Sequence, residues 1–262
     1  MKIKTLVKKE FFEIFRTSKI FVLPLIYIFI AITSPLMAKY TPDLLNTIMQ
    51  YTGQKINISL PAPTYVDSFI QLFKNIGEMG LFVLIFIYSG TMVEEKTKGT
   101  ATLILTKGVS RQTFVASKFI ASTCFMTIVY ILMTMFFAIY SVFLFPDTPW
   151  LQGAVSLLMV WVYSELILVI VVLGSIIKKT YASSTVFSFL NFIGISLLGM
   201  IPVIDKYTPG YVISLALKHV MPAESFERPL VFADYFWPLG ISVVLIALAI
   251  FFALHSFRRQ EL

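Results

Sequence analysis

The sequence predicts an all-α membrane protein with six transmembrane helices, and three observations carry that reading. The first is composition. The 262-residue chain is 58% apolar and only 13% charged, with a mean hydropathy of +0.85. A water-facing domain carries about 25% charged residues, so the excess apolar surface faces lipid and does not serve a larger core. The second is segmentation. Six apolar stretches, about residues 20–38, 76–93, 119–145, 153–177, 182–204 and 237–257, match the roughly 20 residues a helix needs to cross about 30 Å of hydrocarbon. Each is read as a helix because backbone groups in lipid must satisfy one another.

The third observation is the alternation of basic residues. One set of connections carries Lys2, Lys4, Lys8, Lys9, Arg16, Lys19, Lys96, Lys98, Lys107, Arg111, Lys118, Lys178, Lys179, Arg258 and Arg259. The other carries only Lys39, Lys55, Lys74, Lys206, Lys218 and Arg228, together with Asp43, Asp67, Asp147, Asp205, Glu224, Glu227 and Asp234. The positive-inside bias therefore places both termini and the 94–118 loop in the cytoplasm, in a multi-pass protein of the cell membrane. The net charge of +7 is explained by this topology, without a nucleic-acid partner. Residues 1–262 read as one membrane domain.

Residues 1–19 predict an amphipathic helix lying in the cytoplasmic interface. Ile3, Val7, Phe11 and Ile14 form its apolar stripe, flanked by Leu6 and Phe15, with Lys4, Lys8, Lys9, Glu13 and Arg16 around the rest. The apolar run that follows is longer than a signal-peptide core and lacks a small-x-small cleavage site, so it reads as an uncleaved span.

Two long connections fall on the outer side. The first holds Leu44, Leu45, Ile48, Met49 and Tyr51, then a Pro61-Ala62-Pro63 break, then Val66, Phe69, Ile70 and Phe73. The second holds residues 211–220 between Pro209 and Pro222. Both predict short extracellular helices at the outer interface.

The 94–118 loop is the most structured of the connections. A helix of about two turns is expected over residues 99–107, with Lys107 at its negative end and Gly108 as a left-handed cap. Ser110 is placed to N-cap a new helix over 111–145, which at 1.5 Å per residue is roughly 50 Å long and must project beyond the bilayer. A short helix held under the membrane between two long ones is suited to receive force from a partner.

Within the spans, Glu165 sits mid-way along the fourth and Glu78 in the outer part of the second. Carboxylates at such depth face a protein interior or a water-filled cavity, so each is read either as a candidate for a transport route or as a structural carboxyl, neutral or hydrogen-bonded between helices. Catalytic material is sparse. One cysteine, Cys124, and two histidines, His219 and His255, form no motif, and neither H-E-x-x-H, G-x-S-x-G nor a phosphate-binding G-x-x-x-x-G-K-[ST] loop is present. No enzymatic activity and no cofactor are expected on this chain.

The run Glu94, Glu95, Gly99-Thr100, Leu103 to Leu105, Val109-Ser110-Arg111 and Lys118 resembles the first cytoplasmic loop of type-2 ABC exporter permeases. Lys9-Glu10 through Arg16 to Ser18-Lys19 is similar to that family's N-terminal interfacial helix, and six spans with internal termini match as well. Gly108 stands where many members carry proline. The resemblance implies a permease half that pairs with a second permease subunit, in a homo- or heterodimer. It further implies that each half docks on a separate cytoplasmic ATPase subunit, which carries ATP and Mg. Glu94, Glu95, Gly99, Thr100, Leu103, Leu105, Arg111 and Lys118 would couple the two, with residues 178–184 as a second contact. The cargo implied is broad: a peptide, a lipid or an amphipathic drug. A different reading takes Glu165 and Glu78 as ion-linked groups of a stand-alone secondary transporter or channel.

Overall fold

The computed structural model describes residues 3–51, 62–222 and 230–260. Lys2, Lys55, Pro61, Glu224, Glu227 and Arg228 lie outside the described residues. The described residues are helical with short connections, and six helices are long and apolar enough to cross a membrane.

Helix α1 (Ile3–Arg16) packs on α7 and buries Leu6, Glu10 and Ile14. This corrects the expected stripe: Val7 and Phe11 are half-buried, and Ile3 is exposed. Helix α2 (Lys19–Tyr51) continues past residue 38 despite Pro24, Pro35 and Pro42. Each proline removes an N–H donor from the ladder. Hydroxyls just before the later two donate to carbonyls one turn back, Ser34 to Ile30 at 2.6 Å and Thr41 to Met37 at 2.5 Å. Such local bonding lets a membrane helix tolerate proline. Leu44, Leu45, Ile48 and Tyr51, expected in a separate outer piece, are therefore the last turns of α2.

The second outer piece is corrected in the same way. Helix α3 (Tyr65–Asn75) runs through a π-helical turn (Ile76–Gly80) into α4 (Leu81–Tyr88) and on to α5 (Val93–Thr97), a single column over Tyr65–Thr97. Its start is fixed by Asp67, which accepts from the Thr64 backbone N–H at 2.8 Å. Asp67 and Lys74 interrupt the apolar run and hide this continuity in the sequence. The π-turn leaves Ile76 and Gly80 buried while Glu78 and Met79 face out. Gly80 lets Tyr27 approach closely here, since a Cβ would lie 3.2 Å from the Tyr27 hydroxyl.

A short helix α6 (Thr100–Thr106) precedes α7 (Arg111–Leu144), which at 1.5 Å per residue is about 50 Å long. Helix α8 (Trp150–Ile177) is the central strut: 72% of its most apolar window is buried, against 17% for α11 (Phe232–Arg258). Helix α9 (Tyr181–Leu198) stops six residues short of the expected 204. Gly199 and Gly210 meet there backbone to backbone, and a Cβ on Gly210 would fall 2.4 Å from the Ile195 carbonyl oxygen. Two 3-10 turns then lead into α10 (Val212–Val220), which packs on α8 and buries Val212, Leu215, Ala216 and Val220. Phe21, Leu25, Phe143, Leu190 and Phe251 face outward, giving the bundle an apolar exterior suited to lipid.

Candidate functional site

The site lies at the end of the bundle where α1, the last turn of α11 and the 94–110 loop converge, here called the basic end. Its local folding follows from glycine and serine. Gly99 adopts φ +70° between α5 and α6, and Gly108 adopts φ +77° after α6. Both are left-handed conformations that cost an L side chain roughly 1 kcal/mol or more. The Ser110 hydroxyl then accepts from the Thr113 N–H at 3.1 Å and starts α7. Helix α6 is thus bounded at both ends by backbone reversals. Ala101 is buried, Ile104 and Leu105 are half-buried, and Thr102, Leu103, Thr106 and Lys107 are exposed, Leu103 to 60%.

A buried ion network fastens this loop to α1 and α7. The Lys118 ammonium, 1% exposed, donates to Glu10 at 2.6 Å and pairs with Glu95 at 2.9 Å. Lys9 pairs with Glu10 at 3.0 Å, with Glu13 at 2.8 Å and with Glu95. Glu10, Glu13 and Glu95 each bring a carboxylate oxygen within 4.8 Å of the others, the spacing of a cation site. Lys9 and Lys118 supply the positive charge among them.

The same loop reaches the ends of two further helices. Lys96 donates to the Ile176 and Lys178 carbonyls at 2.7 and 2.6 Å, at the C-terminus of α8. Gln260 donates to the same Ile176 oxygen at 3.0 Å. Arg111 donates to the Phe257, Arg258 and Gln260 carbonyls at the end of α11, the first two at 3.3 and 3.1 Å. Cationic donors on orphaned C-terminal carbonyls also favour the negative end of each helix dipole. A loop of seventeen residues, 94–110, with its first α7 residue therefore touches α1, α7, α8 and α11.

Burial pushes the Lys9 pKa down, but Glu10, Glu13 and Glu95 more than offset it and hold it above the ordinary 10.5. For Glu13 burial is likewise outweighed, by Lys118 and Lys9, which hold its pKa below 4.5. A lowered carboxylate contributes stability above its unfolded value and loses it as pH falls through the folded one. A raised lysine contributes below its unfolded value and loses it as pH rises through the folded one. The contributions of Lys9 and Glu13 to docking of α1 should therefore be fully present between pH 4.5 and 10.5 and be lost outside that window. The emission maximum of a Phe11→Trp reporter checks the Glu13 part, with a red shift expected as pH falls below 4.5.

The sequence-selected residues do not form one cluster. Glu95, Arg111 and Lys118 belong to the anchoring contacts just described. Gly99 sets the turn, Thr100 donates to the Glu95 carbonyl at 3.2 Å, and Leu103 and Leu105 sit on α6. Glu94 is exposed and makes a surface pair with Lys98 at 3.4 Å. Glu165 lies apart, 5% exposed in the middle of α8, and Glu78 faces outward from the π-turn. The sequence reading passed over Glu10, Lys9 and Lys96 as site residues. Glu10 had a signal: it falls midway between Leu6 and Ile14 at four-residue steps, a lone carboxylate on an apolar stripe.

No family model matches the chain. It is 22% identical over 268 residues to the uncharacterized transmembrane protein YxlG of Bacillus subtilis (strain 168), covering 98% of this chain and 97% of that protein. The chain is thus a multi-pass membrane protein, similar along nearly its whole length to another transmembrane protein.

Proposed function

We propose that the chain is the transmembrane permease subunit of an ATP-driven exporter of the type-2 ABC kind. The observation that carries this reading is α6. It packs on the basic end through Ala101 and leaves Leu103 uncovered, and its flanks are bonded to α1, α7, α8 and α11. A load on α6 is thereby shared among helices that cross the whole bundle, which is what a coupling helix requires. In this reading the basic end faces the cytoplasm and two permease halves pair. Each α6 seats in a groove of an ATPase subunit, which binds ATP and Mg. Closure of the ATPase pair shifts the permease halves and moves cargo out of the cytoplasm or the inner leaflet.

The test is capture of the tagged chain from its native membrane in mild detergent. An ATP-binding subunit should co-purify, and replacing residues 99–107 with a flexible linker should remove it while the chain itself stays folded. Glu165 favours a second reading, a secondary transporter that works without an ATPase. Absence of any ATP-binding subunit under conditions that keep other transporter complexes intact would put that reading first.

A further inference from the structure

Helix α1 separates its charges by face. Toward the bundle, Lys9, Glu10 and Glu13 are spent in the ion network with Lys118 and Glu95. Away from it, Lys4 and Lys8 are exposed one turn apart and enter no ion pair among the described residues. Both acids of α1 are already engaged by Lys9 and Lys118, so the positive charge of the outward face stands uncompensated. The same two lysines line a groove of about 500 Å³ between α1 and α7, together with Ile3, Val7, Phe11 and Ile120. Apart from the lysines its lining is wholly apolar. Ile120 is 41% exposed and lies in the first turn of the apolar run 119–145. The groove therefore opens sideways at the depth where lipid headgroups give way to acyl chains.

Shape and charge together select an occupant. A lysine on such a surface lays its methylenes along the apolar lining and lifts its ammonium to the polar rim. An alkyl chain or apolar peptide would fill the groove but leave two ammonium groups unanswered. A small soluble anion would answer the charge but leave the apolar lining uncovered. A molecule with an apolar tail joined to an anionic head satisfies both, and the bilayer supplies it at this depth. We propose that the α1–α7 groove binds one anionic phospholipid, an acyl chain against Val7, Phe11 and Ile120 and the headgroup phosphate at Lys4 and Lys8. The lipid ties the outward face of α1 to the bilayer, as the ion network ties its inward face to the bundle. This goes beyond the exporter reading and does not depend on it.

The experiment strips the full chain of lipid in mild detergent and titrates it with phosphatidylglycerol or with phosphatidylcholine of the same acyl chains. Adducts are counted by native mass spectrometry. One phosphatidylglycerol should bind saturably and at least tenfold more tightly than phosphatidylcholine. Lys4→Gln with Lys8→Gln should remove that preference. Lys107→Gln with Lys179→Gln removes the same charge from exposed positions elsewhere at the basic end and should leave the preference within twofold. Ile120→Trp fills the groove with both lysines in place and should weaken phosphatidylglycerol binding at least tenfold. All five positions are exposed, and the melting temperature of the lipid-free variants checks that each is folded. Equal affinity for the two lipids, or an equal loss in the Lys107 and Lys179 variant, would reduce the effect to diffuse attraction and overturn the site. Binding indifferent to Ile120→Trp would place the lipid elsewhere. A second copy of the chain seated in the groove would appear as a dimer that Ile120→Trp dissociates, with no lipid adduct, and would also defeat the proposal.

Discussion

Replacing Lys118 with methionine is expected to destabilise the protein by about 3–5 kcal/mol, the cost of leaving buried charges without their partner. Lys118 is 1% exposed and lies on the buried stripe of α7, next to Phe114 and Phe119. Its ammonium is the point where α1, through Glu10, meets the loop, through Glu95. Methionine preserves the length of the side chain and fills the same space, so the loss is electrostatic. Three carboxylates would then share Lys9 alone. One oxygen of Glu95 is already buried without a partner, so the site has no spare donor to offer. For a chain of this size the melting temperature in detergent should fall by roughly 10 °C. Adding Glu95→Gln to Lys118→Met should recover part of the loss, because it removes one stranded charge, and the double-mutant cycle measures the coupling. A melting temperature unchanged by Lys118→Met would show that the network does not hold α1 and the loop together.

Leu103→Asp should abolish co-purification of the ATPase subunit, by more than tenfold, without lowering the melting temperature. Leu103 is 60% exposed on a seven-residue helix, so little of its side chain packs within this chain. The helix itself is set by Gly99 and Gly108 and by the buried Ala101, none of which the substitution touches. A carboxylate at the centre of a docking face leaves an unpaired charge in the interface, and that penalty falls on binding alone. The contrast with Lys118→Met is the informative part. One variant weakens the fold and the other weakens only assembly, so the two separate anchoring from docking. Retention of the ATPase by Leu103→Asp would move the contact away from α6.

The six spans and the caps of α6 and α7 were legible in the sequence because they rest on local signals. Apolar length, the glycines at 99 and 108, and Ser110 each act within a few residues. The ends of the spans were less legible. Helix α2 runs through three prolines, and α3 joins α4 across Asp67, Lys74 and a π-turn, so composition marks a break where tertiary packing permits none. Glu95, Arg111 and Lys118 were selected as a motif, but their partners were out of reach. Glu10 is 108 positions from Lys118, and the carbonyls that hold Arg111 are 146 or more positions away. Such pairings depend on where helix ends meet, which periodicity does not encode. Glu165 was legible as an oddity, one carboxylate in an apolar run. Its neighbours Trp161 and Thr123 become meaningful only once α7 and α8 are placed side by side.

The most direct test of the central claim is site-specific crosslinking from α6 in intact membranes. A photoreactive residue is introduced at Leu103, and another at Val203, exposed beyond the opposite end of α9. The account predicts an adduct from position 103 to an ATP-binding subunit, with a yield that changes when ATP is trapped, and no such adduct from position 203. A chain that yields no ATP-binding adduct from position 103, while crosslinking elsewhere proceeds normally, would contradict it.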